Sequence, residues 1–314
     1  MTDRAPALKL NNNREMPIIG LGTFMAASEV IEPMVDAALE AGYRFIDTGY
    51  WHCNEEAIGS ALNKWLRSGR ITREELFIAT KMPSTANRAE LVEESLKKSL
   101  EALQLSYIDM YILHFPFGYE YLDLQQRLCV VDNTTDIVSI WKAMEQQVEA
   151  GRTLSIGLAS FNARQLKRIV KAARIPPAVL MIELNVYLQQ KELVGFCKAL
   201  DVAVCAYAPL GSPDLPLLMK MMGFDSESIP ALNALSDPVV LSIAEKHSKT
   251  ASQVLLRHIV QRGIAAVPKS MHPSRIKENF QVFDFELDDD DMDRLYVLDK
   301  GRRARMYNTS IFPE

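Results

Sequence analysis

The segment GYRFIDTGYWHCNEEAIGSAL, residues 42–62, contains a strand pattern that runs directly into a polar turn. Its first part, YRFIDT (43–48), is a short run of mostly aromatic and β-branched character, which is typical of a buried strand. A longer amphipathic stretch follows the turn. The segment therefore predicts one unit in which a strand leads into a helix, with polar residues at the junction.

The same pattern recurs along the chain, and each β-rich run is followed by a longer amphipathic stretch. Such alternation predicts a parallel sheet covered by helices, and eight units favour closure into a (β/α)8 barrel. The eight predicted strands are PIIGLGT (17–23), YRFIDT (43–48), LFIATKM (76–82), IDMYILHF (108–115), LSIGLAS (154–160), AVLMIEL (178–184), VAVCAYA (202–208) and GIAAVPK (263–269).

The segments between the strands have apolar residues at three- and four-residue spacing, which predicts an outer ring of helices. Clear examples are residues 29–42, 89–104 and 136–151. Because no linker-like composition interrupts the chain, we expect residues 1–314 to form a single domain. The pair ALKL and REMP around Asn11–Asn13 predicts a short N-terminal hairpin that closes the barrel floor.

Three connections have the length and position of site-forming loops. Residues 116–135 follow the fourth predicted strand, residues 211–230 follow the seventh, and residues 301–314 form the C-terminal tail. Barrel enzymes build their sites from loops at the C-terminal ends of the strands, so we expect all three at the mouth of the site.

Charge and cysteine usage exclude several function classes. A net charge of −5 provides no general basic field for a nucleic acid or an anionic membrane. The polar N-terminus lacks the apolar core of a signal peptide, and no run approaches the roughly eighteen apolar residues of a membrane span. The four cysteines match no metal-ligand pattern, so we expect a cytoplasmic protein without a metal.

Three ionisable residues stand at the C-terminal ends of separate predicted strands: Asp47, Lys81 and His114. On neighbouring strands they would form an Asp-Lys pair beside a histidine, an arrangement suited to proton transfer at a carbonyl oxygen. Taken singly, each has a structural alternative. Asp47 can cap a helix, Lys81 can pair with a carboxylate, and His114 can be a satisfied core histidine.

These residues lie within segments that resemble the signature segments of the aldo-keto reductases, in the same order and at the same separations. The resemblance covers nearly the whole chain. It implies a (β/α)8 barrel that reduces aldehydes and ketones with NADPH, without a metal. The segments are GYRFIDTGYWHCNEEAIGSAL, LFIATKM, IDMYILHFP, SIGLASFN, AYAPLGS and VPKSMHPSRIKEN.

The resemblance also shows a departure at the catalytic acid. The family has a tyrosine five positions after the aspartate that matches Asp47, and here that position holds His52. Tyr50 is in a different register and is not assigned as the acid. Lys81 favours a neutral imidazole and Asp47 favours the cation, so the sequence leaves the protonation state of His52 open. The acid is therefore His52 or His114.

The resemblance assigns an NADP(H) site to the other strand ends. Lys269, Ser270 and Arg275 match the residues that hold the adenosine 2′-phosphate, and Glu278 and Asn279 match those that contact the adenine. The remaining matches are Tyr207 for nicotinamide stacking, Leu210, Gly211 and Ser212 for the pyrophosphate, Gly22, Thr23 and Phe24 below the nicotinamide ribose, and Ser160 for the carboxamide. Asp47 is also expected to contact the cofactor.

Near the reaction centre the match is weaker, which leaves two functions open. The carboxamide positions are Ala159, Ser160 and Met181, where the family has Ser, Asn and Gln. The first function is NADPH-dependent reduction of a small carbonyl compound by a monomer. The alternative is an NADP(H)-binding module with weak or lost reductase activity.

Four aromatic residues predict a lipophilic substrate pocket. Each has core packing as its alternative. They are Trp51, Phe115, Phe117 and Trp141.

Overall fold

The structure is a computed structural model that describes residues 5–123, 128–221, 229–230 and 232–307. Within this part of the chain, eight parallel strands form one sheet whose order follows the order of the sequence. The eight strands are β3 (Leu21–Gly22), β4 (Phe45–Asp47), β5 (Phe77–Met82), β6 (Met110–Leu113), β9 (Ile156–Ala159), β10 (Val179–Glu183), β11 (Ala203–Tyr207) and β12 (Ala265–Ala266).

Backbone hydrogen bonds join the first and last strands and so close the sheet into a barrel. The Gly20 amide donates to the Ala266 carbonyl at 2.9 Å, and the Gly22 amide donates to the Pro268 carbonyl at 3.0 Å. Gly22 permits this approach, since a Cβ atom there would lie 2.6 Å from the Val267 carbonyl oxygen. The predicted (β/α)8 barrel is confirmed.

Helices follow the strands and bury their apolar faces against the barrel. The helices predicted at 29–42, 89–104 and 136–151 are confirmed as α1, α3 and α4. None of the helices in the described ranges is long and apolar enough to span a membrane. The helices are α1 (Ser28–Ala41), α2 (Glu55–Arg67), α3 (Val92–Leu103), α4 (Ile137–Glu149), α5 (Ala163–Ala172), α6 (Lys191–Ala199), α7 (Leu215–Met221), α8 (Pro238–His247), α9 (Ala251–Gln261), α10 (Pro273–Phe280) and α11 (Asp289–Tyr296).

The N-terminal hairpin closes the floor of the barrel, as predicted. Strands β1 (Ala7–Lys9) and β2 (Glu15–Pro17) pair antiparallel. In the turn between them, the Asn11 side chain donates to the carbonyl of Pro177 at 2.8 Å, and the Asn12 side chain donates to the Ser155 hydroxyl at 2.8 Å. Both partners precede barrel strands, so the hairpin covers the end opposite to the predicted site.

The structure differs from the sequence prediction mainly in the long connection after β6. Residues predicted as a loop form an antiparallel hairpin of β7 (Gly118–Asp123) and β8 (Leu128–Asp132). The barrel strands are also shorter than predicted at one or both ends, because the chain leaves the ladder as it enters each loop. The expectations for the loop at 211–230 and for the tail fall partly on residues 222–228 and 308–314, which lie outside the described residues.

Two helical glycines provide a test of the outer ring. In α2, a Cβ atom at Gly59 would lie 2.5 Å from the Ala102 carbonyl oxygen and 2.7 Å from that of Leu103, whereas at Gly195 in α6 nothing lies within 4 Å. We expect Gly59→Ala to lower the free energy of unfolding by about 1 to 3 kcal/mol through overpacking. Gly195→Ala should raise it by about 0.5 to 1 kcal/mol. Urea denaturation measures both, and equal effects of one sign would contradict this account of α2 packing.

Candidate active site

The sheet order brings Asp47, Lys81 and His114 to one edge of the barrel mouth, since β4, β5 and β6 are adjacent. Asp47 ends β4, Lys81 is next to last in β5, and His114 directly follows β6. The Lys81 ammonium lies 2.6 Å from the Asp47 carboxylate, and both residues are 4% exposed. Asp47 and Lys81 therefore form a buried ion pair.

Lys81 also donates to the Thr48 carbonyl oxygen at 2.7 Å, so two of its protons are directed at groups of β4 and the following turn. Burial raises the pKa of Asp47, and the Lys81 charge opposes that rise. Lys81 thus pairs with a carboxylate, as its structural alternative allowed, but the partner is the other predicted site residue, Asp47.

The turn after β4 directs His52 inward. Tyr50, Trp51 and His52 form one turn of 3-10 helix, in which Tyr50 is 44% exposed and His52 only 6% exposed. The His52 Nδ1 atom lies 2.9 Å from the Thr23 hydroxyl. The His52 ring packs edge-on against Phe24, with centroids 5.4 Å apart. His52, rather than Tyr50, therefore occupies the buried position near the ion pair.

Asn54 ties this turn to the loop after β3. Its side-chain amide donates to the carbonyls of Thr23 and Ala26, each at 2.9 Å, and its oxygen accepts from the Thr48 hydroxyl at 3.2 Å. These bonds place the Thr23 hydroxyl against His52. This role of Asn54 was missed from the sequence.

The environment makes both histidines neutral. Burial lowers the pKa of His52 well below its ordinary value, and the Lys81 charge lowers it further. Burial and then Lys81 likewise lower the pKa of His114. The protonation state that the sequence left open is thus decided by desolvation, with Lys81 acting in the same direction.

Three of the four predicted pocket aromatics lie beside these histidines. Phe115 stacks on His114 at 4.2 Å between centroids and on Phe117 at 5.1 Å, while Trp51 precedes His52 in the same turn. Trp141 is set apart. It is 1% exposed in the core, and its indole donates to the Ile175 carbonyl before β10, so we do not retain it as a pocket residue.

The predicted nicotinamide end has one polar side chain where the family pattern has three. Ala159 ends β9 and Met181 lies in β10, and both are buried. The Ser160 hydroxyl lies 3.2 Å from the Tyr207 hydroxyl, which places these two predicted cofactor residues in direct contact. Ser160 is therefore the polar group that these three positions offer to a carboxamide.

The predicted phosphate site lies where β12 leads into α10. Partial desolvation lowers the pKa of Lys269, and Asp214 opposes this. The Ser270 hydroxyl accepts from the His272 amide at 3.1 Å. Arg275 is exposed in the first turn of α10 and pairs with no carboxylate within the described ranges. A lysine, a serine and an uncommitted arginine suit a phosphate.

The other predicted cofactor residues lie in α10 and in the segments at the ends of β3 and β11. Glu278 accepts from the hydroxyls of Thr250 and Ser252, each at 2.9 Å, and Asn279 beside it is buried. Leu210, Gly211 and Ser212 follow β11, and Gly211 has a φ of 78°. Gly22, Thr23 and Phe24 lie at the end of β3.

Two residues at the site were missed from the sequence. Glu183, which ends β10, is fully buried, and its carboxylate accepts from the Met306 amide at 2.7 Å and the Tyr307 amide at 3.0 Å. Tyr307 packs edge-on against Tyr207 and Phe24, with centroids 5.7 and 6.3 Å apart. The charged residue inside an otherwise apolar strand was the available signal for Glu183. Nothing local marks Tyr307.

Comparison with known proteins agrees with this arrangement. Residues 18–300 match the profile of the Aldo/keto reductase family. The chain is 39% identical over 304 residues to Aldo-keto reductase family 1 member A1 of Mus musculus, covering 95% of this chain and 91% of that protein. It is 38% identical over 306 residues to the Homo sapiens protein of the same name, with the same coverage.

Solved structures give the same result. The structure of the aldose reductase from Schistosoma japonicum superposes with a TM-score of 0.86 at 36% identity, covering 97% of this chain and 95% of that one. An aldo-keto reductase from Bombyx mori in complex with NADP also reaches 0.86, at 32% identity, covering 98% and 96%. The chain belongs to the aldo-keto reductase family and is an oxidoreductase.

The buried ion pair is testable by a double-mutant cycle. Lys81→Met should lower the free energy of unfolding by about 3 to 5 kcal/mol near pH 7, because it leaves the Asp47 carboxylate buried without a partner. Asp47→Asn combined with Lys81→Met should cost less than Lys81→Met alone. Denaturant unfolding of Asp47→Asn, of Lys81→Met and of the double variant, beside the native protein, measures the coupling.

The pH dependence of the same variant has a defined sign. Without Lys81, the folded-state pKa of Asp47 lies above the unfolded value of about 3.9. The deficit of Lys81→Met should therefore be small below about pH 3.9 and grow as the pH rises through the folded pKa. A loss of stability that instead grows toward acid pH would show that Asp47 is not the buried charge left without a partner.

Proposed function

We propose that this chain reduces small aldehydes or ketones to alcohols with NADPH, at the site formed by Asp47, Lys81, His52 and His114. The observation that carries this proposal is the buried Asp47 and Lys81 pair, with two neutral histidines beside it at the mouth of the barrel. Preorganised hydrogen-bond donors in such a desolvated site stabilise the charge that develops on a carbonyl oxygen.

NADP(H) is the cofactor that the residues at β12 and α10 fit. Lys269, Ser270 and Arg275 supply the donors for a phosphate, and the Bombyx mori relative was solved in complex with NADP. When bound, this cofactor supplies the hydride for the reduction. Tyr207, with its hydroxyl on Ser160, is the ring on which the nicotinamide would rest.

The substrate that suits the pocket is a lipophilic carbonyl compound. Phe115 and Phe117 stack in series from His114, and Trp51 stands beside His52. These rings offer an apolar wall and exclude water from the carbonyl group, which strengthens every hydrogen bond to it. Asp47 and Lys81 set the field in which the two histidines act.

A second candidate function is an NADP(H)-binding module with weak or lost reductase activity. Two observations favour it. Ala159 and Met181 leave the carboxamide with fewer polar partners, and His52 is a neutral imidazole where the family pattern has a tyrosine hydroxyl. Loss of two such hydrogen bonds weakens the positioning of the ring by about 1 to 3 kcal/mol.

Turnover separates the two functions. We expect the native protein to oxidise NADPH with aromatic, aliphatic or steroidal carbonyls between about pH 5 and 8, and His52→Ala to lower kcat/KM by roughly tenfold or more. His52→Tyr, assayed in parallel, restores the hydroxyl acid. If only His52→Tyr turns over, the binding module is the better description of the native chain.

The phosphate assignment has its own test. Lys269→Ala and Arg275→Ala should each weaken NADPH binding by roughly tenfold and leave NADH binding nearly unchanged, because only NADPH carries the 2′-phosphate. Lys277→Ala is the matched control, since Lys277 lies in the same helix and pairs with Glu40 at the surface. Quenching of intrinsic fluorescence measures the affinities. Equal losses for both cofactors would remove the assignment.

A further inference from the structure

The Thr23 hydroxyl has two partners but only one proton. It lies 3.0 Å from the Asp47 carbonyl oxygen and 2.9 Å from the His52 Nδ1 atom, and Thr23 is fully buried. A carbonyl oxygen only accepts, so the hydroxyl proton is directed to Asp47. The hydroxyl oxygen is then the acceptor for His52, and Nδ1 is the donor.

We propose that Thr23 is a positioning residue that holds His52 as the Nδ1–H tautomer, so that its Nε2 atom is a proton acceptor and His114 is the hydrogen-bond donor to the substrate oxygen. This inference rests on the proposed carbonyl reduction for its role in the reaction. Its structural part concerns the protein alone.

The bare Nε2 atom of His52 follows from the neutral state of the ring. Burial and the neighbouring Lys81 charge lower the pKa of His52, so the ring carries one proton, and Thr23 places it on Nδ1. Within the described chain Nε2 makes no hydrogen bond, yet it is not among the polar atoms sealed from solvent. Its lone pair is therefore available in the pocket.

His114 has the opposite arrangement. Its Nδ1 atom is sealed from solvent and has no partner among the described residues, whereas its Nε2 atom is not sealed. Buried N–H groups without an acceptor are rare in proteins, so Nδ1 is the unprotonated nitrogen. The single proton of this neutral ring therefore lies on Nε2. His114 thus presents an N–H donor and His52 presents an acceptor.

These tautomers divide the work at the substrate oxygen. In alcohol oxidation, bound NADP⁺ would accept the hydride from the carbon; the hydroxyl gives its proton to His52 Nε2, while His114 donates a hydrogen bond to the oxygen. In reduction, His114 polarises the carbonyl without losing its proton. The negative charge that develops on the oxygen raises the proton affinity of His52, which takes a proton from solvent at Nε2 and passes it to the alkoxide.

The tautomers can be read directly in the protein without cofactor. Protein labelled with ¹⁵N at its five histidines is examined by long-range ¹H–¹⁵N correlation, with His52→Gln and His114→Gln used for assignment. We expect the Nδ1–H pattern for His52 and the Nε2–H pattern for His114. An Nε2–H pattern for His52 in the native protein overturns the inference, whatever the activity.

Thr23 variants test the cause. Thr23→Val keeps the shape but removes the hydroxyl, and it should shift the tautomer ratio of His52 about tenfold toward Nε2–H. Thr23→Ser should preserve the native ratio. Unchanged signals from His258, which is buried in α9, confirm folding. An unchanged His52 ratio in folded Thr23→Val shows that Thr23 does not set the tautomer.

Activity then separates this inference from the proposed function. His114→Gln retains an N–H donor and His114→Leu does not. The kcat of carbonyl reduction should therefore be roughly tenfold or more higher in His114→Gln than in His114→Leu. Equal losses of activity in the two variants would exclude His114 as the donor without contradicting the proposed carbonyl reduction. A native protein with the expected tautomers but no turnover would contradict the proposed function alone.

Discussion

The buried contact between the Lys81 ammonium and the Asp47 carboxylate organises the mouth of this barrel. It joins β4 to β5 in a buried region, where an unpaired charge is strongly destabilising. Removing either residue therefore leaves the other as a buried charge without a partner. The same ammonium lowers the pKa of both neighbouring histidines. One ion pair thus stabilises the fold and also sets the electrostatic environment of the proposed reaction. A substitution of Asp47 or Lys81 should therefore change both stability and reactivity.

Around this pair, the chain uses hydrogen bonds to aim side chains. Asn54 fastens the loop after β3, which places the Thr23 hydroxyl on His52, while Tyr50 in the same turn faces outward. A histidine in this position differs from a tyrosine hydroxyl in one respect that matters here. The direction of its proton depends on the partner of its other nitrogen. The neighbours of the acid position are therefore as important as its identity.

Much of the fold was predictable because a barrel repeats one local pattern. Near-continuous apolar runs and helical periodicity identified the eight strands. Gly22 lies where the barrel closes, and the turn at Asn11–Asn13 lies in the hairpin that covers its floor. The hairpin β7–β8 was missed because it lies inside a long connection. The short segment between its two strands leaves no room for an amphipathic helix, so the hairpin lacks the strand-then-helix pattern by which the barrel strands were recognised. Trp141 was misplaced because an aromatic in an amphipathic helix gives no local indication of which layer it packs against.

The sequence by itself determined the barrel, the family, the positions of Asp47, Lys81 and His114 at successive strand ends, and that of His52 in the turn after Asp47. These features depend on periodicity and order along the chain. Only the tertiary structure decided that both histidines are neutral, that Thr23 holds His52, and that Glu183 receives the backbone of the C-terminal tail. Desolvation and hydrogen-bond direction depend on atoms from distant segments, and no local pattern encodes them.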